Sequence, residues 1–333
     1  MKPSIRRSQI MLALALLLAG WTAFPHAGAA SPDRASNGLV LLTEPQSGEK
    51  PLIRAIDAAQ QRVFVECYLL SNRRIVRALE RAESQGVQVL VLLERKPVGL
   101  GTQPARMADE LHAAGIGVRW TSSRFALTHA KFMVLDDRVA VISTANFSAA
   151  GFHTDRDFVA MDYRLADARQ LSNIFRADWD RIHPAFEDPA LIVAPVYARG
   201  DVDGLILGAR RSVDVYAEEV VDATVESLLI ARAKQHVRVR VLLPPGASIP
   251  AVQLLTGQGV LVRTLNAPYI HAKALIVDHM RGYIGSENLS TQSLDRNREV
   301  GIWLGTGGLS TVERRFNADW MRAIPVVGSR VRG

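Results

Sequence analysis

The chain has 333 residues, of which 48% are hydrophobic, 22% charged and 6% aromatic, and its formal net charge is +7. That balance belongs to a folded globular protein and excludes the apolar-poor, charge-rich composition of a disordered chain. With few aromatics and no long Lys/Arg run, the charge does not by itself mark a dedicated nucleic-acid binder.

The first thirty residues stand apart from the rest. Lys2, Arg6 and Arg7 precede an apolar run from Ile10 to Ala23, which ends at Pro25 and the small-residue stretch AGAAS. A basic start, a short apolar segment and small residues behind it predict a cleavable signal peptide over residues 1–30, and hence a periplasmic or secreted protein. Removing its three basic residues takes the formal charge from +7 to +4. Cys67, within the apolar run VFVECYLL, is the only cysteine; no intramolecular disulfide can form, and the thiol reads as buried and inert.

From residue 39 onward, strand-like apolar runs alternate with helical periodicity. Strands are predicted near 39–43, 62–70 and 87–94, with helices near 50–60 and 72–85 between them. The second half repeats the scheme: SVDVYA reads as a strand, DATVESLLIARAKQ as a helix, and VRVRVLL as a strand paralleling VQVLVLL at Val87 to Leu93. Downstream, THAKFMVLDD at Thr128 returns as IHAKALIVDH at Ile270, and FRADW at Phe175 returns as FNADW at Phe316. The connection HPAFEDPALIVAPVYARGD, with its prolines and glycine, places a junction near residues 184–190. The expectation is an α/β chain of two tandem lobes, 31–186 and 187–333, related by a pseudo-two-fold axis, with a site at the seam drawing on both.

The polar residues of the two copies follow one spacing. His129, Lys131, Asp136, Thr144 and Asn146 recur 142 positions later as His271, Lys273, Asp278, Ser286 and Asn288. A His and a Lys two apart at the head of a strand share one face, and the returning strand VAVIS brings the hydroxyl and the carboxamide back beside them. An imidazole, a fixed positive charge and two neutral hydrogen-bonding groups suit a tetrahedral oxyanion such as phosphate. Two imidazoles permit a covalent route, in which one attacks phosphorus while the other protonates the departing oxygen and then takes a proton from the incoming water. An acidic neighbour on the second ring nitrogen would hold each imidazole. Asp157 and Glu299, each 28 residues after its motif histidine and each beside an arginine, stand at matched positions for that task.

The other histidines of the mature chain, His112, His153, His183, His236 and His279, lack such company and read as solvated or core residues. Phe132, Met133, Leu275 and Ile276 alternate along strands and read as core. There is no HExxH and no cysteine cluster, and a Lys two residues after each motif His would repel a cation, so neither a metal nor a cofactor is expected.

The duplicated HxKxxxxD motif, followed by GSxN in the second copy, resembles the phospholipase D superfamily, the HKD phosphodiesterases, across both lobes. The resemblance implies an α/β/α sandwich for each lobe, both motifs in one cleft, and metal-free hydrolysis or transfer of a phosphodiester through a phosphohistidine. It implies His129 and His271 as nucleophile and general acid and base, in one order or the other, with the first histidine more often the nucleophile in two-lobed relatives, and Lys131, Lys273, Asn146 and Asn288 on the phosphoryl oxygens, assisted by Thr144 and Ser286. Asp157 and Glu299 would orient the imidazoles, and Asp136 and Asp278 complete the motif set in a more structural part. The first copy departs from the pattern, with Ser143-Thr144 in place of Gly-Ser, which puts a side chain where glycine lets backbone come close. The function implied is that of an exported, monomeric phospholipase D-type hydrolase that releases phosphatidic acid and a headgroup alcohol from phospholipid at a membrane surface. Transfer to an alcohol, as in cardiolipin synthase relatives, and cleavage of nucleic acid are the alternatives.

Overall fold

The computed structural model describes residues 38–185 and 190–326. The expected signal peptide, and residues 186–189 of the expected junction, lie outside the described residues.

The first copy runs β1 (Leu39–Glu44), α1 (Lys50–Asp57), β2 (Arg62–Cys67), α2 (Arg73–Ser84), β3 (Gln88–Leu93), α3 (Gln103–Ala113) and β4 (Gly117–Trp120). It continues through β5 (Lys131–Leu135), β6 (Val139–Ser143), α4 (Ala149–His153), β7 (Asp155–Asp162) and α5 (Leu165–Asp180). The second copy repeats this with β8 (Leu191–Ala194), α6 (Ala198–Leu207), β9 (Ser212–Tyr216), α7 (Ala223–Lys234), β10 (Arg238–Leu243), α8 (Ile249–Gly257) and β11 (Leu261–Thr264). It ends with β12 (Tyr269–Ile270), β13 (Ala274–Val277), β14 (Arg281–Gly285), α9 (Thr291–Asp295), β15 (Glu299–Trp303), α10 (Thr306–Arg322) and β16 (Ile324–Pro325).

Local chemistry starts the matched helices in the same way. Asn72 accepts hydrogen bonds from the Arg74 and Ile75 amides at the start of α2, and Asp222 accepts from Thr224 and Val225 at the start of α7. Each side chain satisfies donors that the first helical turn leaves open.

Corresponding strands take corresponding places. One sheet is ordered β1-β7-β6-β5-β2-β3-β4, and the other runs β8-β15-β14-β13-β9-β10-β11 with β16 added at its edge. Within each, the three strands of the βαβ crossovers are parallel and the hairpin strands antiparallel.

Alternation along β2 divides its side chains between two cores. Val63 and Val65 pack outward with Ile75 and Leu79 of α2, and in the second lobe Val213 and Val215 pack with Val225 and Leu229 of α7. Phe64 points inward and stacks on Phe175 of α5 at 4.6 Å between ring centroids. In the second lobe Tyr216 meets Phe316 of α10 edge-on at 5.0 Å, and Phe158 of the first lobe meets Tyr216 at 5.6 Å. The inner faces of both sheets, with α5 and α10, thus form one continuous core. Each lobe is an α/β/α sandwich whose inner helix layer is shared at the seam. Burying each of these large side chains stabilises the fold by roughly 1.5–3 kcal/mol, so the two lobes have a strong reason to stay together.

Two buried ion pairs cross that seam. Arg156 of β7 donates to Asp319 of α10 at 2.6 Å, and Arg298, just before β15, donates to Asp178 of α5 at 2.9 Å. The repeated FRADW and FNADW segments supply these two aspartates, each to the opposite lobe.

Candidate active site

The chain entering each motif strand leaves its own lobe to reach the other. Thr128 bridges Arg298, and β12 pairs with Asp155 and Arg156 of β7. The amides of His129 and Ala130 both donate to the Arg298 carbonyl at 2.9 and 3.0 Å, and those of His271 and Ala272 to the Arg156 carbonyl at 3.3 and 2.8 Å. Successive side chains of a strand face opposite ways. Arg156 therefore points into the shared core while the next residue, Asp157, points at the histidine that its neighbour's carbonyl has seated.

The outcome is a crossed pair of histidine–carboxylate contacts. Nδ1 of His129 lies 3.1 Å from Glu299 Oε2 and 3.1 Å from the Ser286 carbonyl. Nδ1 of His271 lies 3.0 Å from each carboxylate oxygen of Asp157. With Nδ1 carrying the proton that these acceptors take up, Nε2 is the ring nitrogen left for chemistry; this tautomer is assigned from the partners. Glu299 also accepts from Ser293 Oγ at 2.5 Å and Asn297 Nδ2 at 3.0 Å. Burial works against its charge, but the His129 ring, Lys131 and Ser293 prevail and hold its pKa below the usual carboxylate value.

The two lysines close the cluster. Lys131 Nζ donates to the His129 carbonyl and sits 5.2 Å from the Tyr68 ring centroid. Lys273 Nζ donates to the His271 carbonyl at 2.6 Å and lies 3.2 Å from His271 Nε2. Burial lowers the Lys131 pKa from 10.5 to about 7, with Lys273 pushing the same way against Glu299. Burial, then Lys131, lowers that of His129 as well. The charges of one lobe act on those of the other, so both motifs form a single site.

The chain matches the family described as "Cardiolipin synthase, PLD-like domain" over residues 52–179 and 203–320, which takes in both motifs. It belongs to the phospholipase D superfamily. Cardiolipin synthase B of Escherichia coli (strain K12) is 25% identical over 321 aligned residues, covering 81% of this chain and 76% of that one. Among solved structures, phosphatidylserine synthase of Haemophilus influenzae Rd KW20 is similar with a TM-score of 0.65 over 87% of this chain and 88% of that one, at 12% identity. Polyphosphate kinase of Porphyromonas gingivalis gives a TM-score of 0.68 at 17% identity over 86% of this chain, which spans about half, 51%, of the kinase. These two likenesses carry the fold.

Not every residue of the superfamily motif reaches the site. Asp136 and Asp278 lie at the far ends of β5 and β13, roughly 20 Å along the strand from the histidines. Their carboxylates accept from three successive amides each, those of Gln60, Gln61 and Arg62 for Asp136 and those of Arg210, Arg211 and Ser212 for Asp278. Burial raises each pKa, but the amides outweigh it and hold both carboxyls below the usual value. Both residues have positive φ, 54° and 56°, and begin the tight turns of the β5–β6 and β13–β14 hairpins. They pin the hairpin turn to the start of the neighbouring strand and do not join the histidines.

Thr144 and Ser286 have their hydroxyls engaged within the fold. Thr144 Oγ1 donates to Asp157 at 2.5 Å and accepts from the Phe158 amide, and Ser286 Oγ accepts from the Val300 amide at 3.0 Å. Both are fully buried and bind the strand behind the site. Asn146 and Asn288 each keep a buried Oδ1 with no hydrogen-bond partner among the described residues. That oxygen can accept from a hydroxyl or an ammonium, whereas only the Nδ2 amide of the same carboxamide can donate to a phosphoryl oxygen.

The Ser143-Thr144 departure has a packing cause. At the matched positions the first lobe has Ser143, Ala145 and Val159, and the second Gly285, Glu287 and Gly301. The buried Glu287 carboxyl fills the space beside both glycines; a Cβ on Gly301 would lie 2.9 Å from it, and one on Gly285 closer still. Ala145 carries no such carboxyl in the first lobe, so the buried side chains of Ser143 and Val159 have room there.

Sequence reasoning missed two residues that touch the cluster, Tyr68 and Glu218. Tyr68 packs edge-on to His129 at 4.8 Å, and Glu218 Oε2 lies 2.9 Å from Lys273 Nζ. Neither belongs to the shared motif, and because the two occupy matched positions with unlike residues, the repeat gave no signal for them. Cys67 is buried as expected, and burial pushes its thiol pKa up.

Proposed function

We propose that the protein transfers a phosphatidyl group from a phospholipid to an alcohol acceptor at a membrane surface, through a phosphohistidine. The observation that supports this most is the crossed pairing, which orients two imidazoles of opposite lobes on one cluster with two lysines. His129, with its pKa lowered by burial and Lys131, begins neutral and supplies the nucleophile. Its Nε2 lone pair forms the P–N bond as the bond from phosphorus to the headgroup oxygen breaks, and His271 Nε2 gives that oxygen its proton. The acceptor hydroxyl then returns a proton to His271 as its oxygen attacks phosphorus and the P–N bond breaks. Lys131 and Lys273 offset the phosphoryl charge, with the Nδ2 amides of Asn146 and Asn288 donating to its oxygens. Asp157 and Glu299 orient the rings.

Water in place of the alcohol gives the hydrolysis implied by the sequence, with no change in the catalytic groups. Transfer is the reading favoured by the names of the relatives, a cardiolipin synthase and a phosphatidylserine synthase. The leader expected at residues 1–30 supports a site of action outside the cytoplasm. The test uses vesicles of phosphatidylglycerol and phosphatidylethanolamine with the native, His129→Ala and His271→Ala proteins, and reads lipid products by mass spectrometry. Cardiolipin formation by the native protein alone is the expected result. Phosphatidic acid alone would assign hydrolysis, and cleavage of DNA with no lipid product would move the assignment to nucleic acid.

A further inference from the structure

Among the differences between the two half-sites, one puts unlike side chains against the two motif histidines. Leu70 and Val220 bridge the matched residues Phe147 and Leu289, and two residues before each of them stand Tyr68 and Glu218. On the first side, the Tyr68 ring is a neutral wall against His129 and Lys131, held by the Val98 amide donating to its hydroxyl at 2.7 Å. On the second, Glu218 Oε2 lies 2.9 Å from Lys273 Nζ and 3.7 Å from His271 Nε2. His271 therefore has a carboxylate on each side of its ring, and His129 has one.

We propose that Glu218 is the positioning residue that gives the two histidines their different roles, by offsetting the charge of Lys273 and holding a proton on His271 Nε2. This rests on the two-histidine reading above and extends it. An ammonium 3.2 Å from an imidazole nitrogen disfavours a proton there, and a carboxylate in contact with that ammonium removes the penalty. The groups acting around His271 are Asp157 and Asp155 of β7, Glu218 after β9, and Lys273 on its own segment, with His129 and Lys131 acting on Glu218 from the first lobe. Burial disfavours the charge on Glu218, but Lys273 and His271 hold its carboxyl ionised, well below the usual range. Among the described residues no carboxylate touches Lys131 as Glu218 touches Lys273; Glu299 and Glu218 act on Lys131 without contact, and burial with Lys131 lowers the His129 pKa, which favours the neutral, nucleophilic ring.

With the polarity set this way, the proton that leaves His271 Nε2 goes to the oxygen of the departing alcohol as the P–N bond forms on His129. A leaving group that is stable as an anion has no need of that proton, which separates this role from a structural one.

The experiment has two arms on the full-length protein. The first titrates the histidine side chains by NMR, with His129→Ala and His271→Ala for assignment. In Glu218→Gln the titration midpoint of His271 is expected to fall by about one pH unit, with His129 moving less than half as far. The second compares an alkyl phosphodiester with a p-nitrophenyl phosphodiester. Glu218→Gln should slow the alkyl ester about tenfold above neutral pH and the p-nitrophenyl ester less than about twofold, with Glu218→Asp recovering part of the loss. An unmoved His271 midpoint, a His129 shift as large as that of His271, or equal slowing of both esters overturns the proposal. If the native protein cleaves neither ester, the phosphodiesterase reading fails, and the titration still decides the part played by Glu218.

Discussion

Nδ1 of His271 lies 3.0 Å from both carboxylate oxygens of Asp157, and the two residues come from different lobes. His129 and Glu299 make the reciprocal contact at 3.1 Å. Neither lobe alone pairs a motif histidine with its carboxylate, so the site exists only where the lobes meet. Removing the charge while keeping the shape should show this most directly. Asp157→Asn is expected to lower kcat by about 10²–10⁴-fold with little change in KM, because the amide can no longer stabilise the imidazolium or fix its tautomer. Steady-state kinetics beside a circular dichroism spectrum checks it, and a kcat within fivefold of native would remove Asp157 from the machinery.

Lys131 should impose a pH dependence of its own. Burial, reinforced by Lys273, sets its pKa at about 7. As pH rises through that value the ammonium is lost and phosphate binding weakens, so kcat/KM should decline on that side. The stability consequence has the opposite sign. The unfolded chain keeps an ordinary lysine that binds a proton up to about pH 10, so the buried ammonium costs stability most below pH 7, and the cost fades as pH rises. Lys131→Met removes that cost, and its stability relative to native is expected to grow between pH 9 and pH 6 as activity is lost. Thermal melts at the two pH values decide this; a relative stability that shrinks on acidification would contradict it.

The alternation of strands and helices was legible because it is written in local periodicity: the helix expected at 72–85 is α2, Arg73–Ser84. The motif histidines and lysines were legible because the duplication repeats them. The crossing was not, because spacing within a copy does not say which lobe's histidine Asp157 or Glu299 will meet; that is set by the Arg156 and Arg298 carbonyls. Asp136 recurs with the motif, yet an aspartate closing a strand before a tight turn is a turn residue, and local sequence alone carries that reading. Glu218 left no trace, since a repeat reveals only what its copies share and the other copy has Tyr68.

The exchange of Ser143, Ala145 and Val159 for Gly285, Glu287 and Gly301 predicts a coupling that can be measured. Burial, reinforced by Glu299, pushes the Glu287 carboxyl well above the carboxylate range, so it occupies its pocket as a neutral acid. A side chain on Gly285 has to displace it. Gly285→Ser alone is expected to destabilise the protein by about 1–3 kcal/mol through overpacking. In a Glu287→Ala background the same substitution should cost much less, giving an interaction energy of at least about 1 kcal/mol in a double-mutant cycle. Denaturant titrations of the four proteins measure it, and simple additivity would refute the packing account.

The buried pair between Arg156 and Asp319 links the seam to the chemistry. The arginine side chain is 1% exposed and the aspartate 0%, and the same carboxylate accepts from the Tyr216 hydroxyl at 2.7 Å. Asp319→Ala would leave the buried Arg156 guanidinium without its carboxylate, though still bonded to the Glu44 carbonyl and Gln46, and the Tyr216 hydroxyl without its acceptor, at an expected cost of about 3–5 kcal/mol by urea denaturation. Replacing the whole pair by apolar residues, as in Arg156→Met with Asp319→Leu, should recover most of that stability, since no buried charge is then left alone. Activity need not follow stability. The Arg156 carbonyl seats the His271 and Ala272 amides, and the next residue is Asp157, so any shift of β7 in the repacked core displaces the His271 ring and its carboxylate together. The repacked protein is therefore expected to fold with near-native stability yet lose kcat by about tenfold or more, because small errors in placement are costly where proton transfer depends on aligned groups. A repacked protein with both native stability and native kcat would show that the crossed ion pair holds the lobes together without positioning the site.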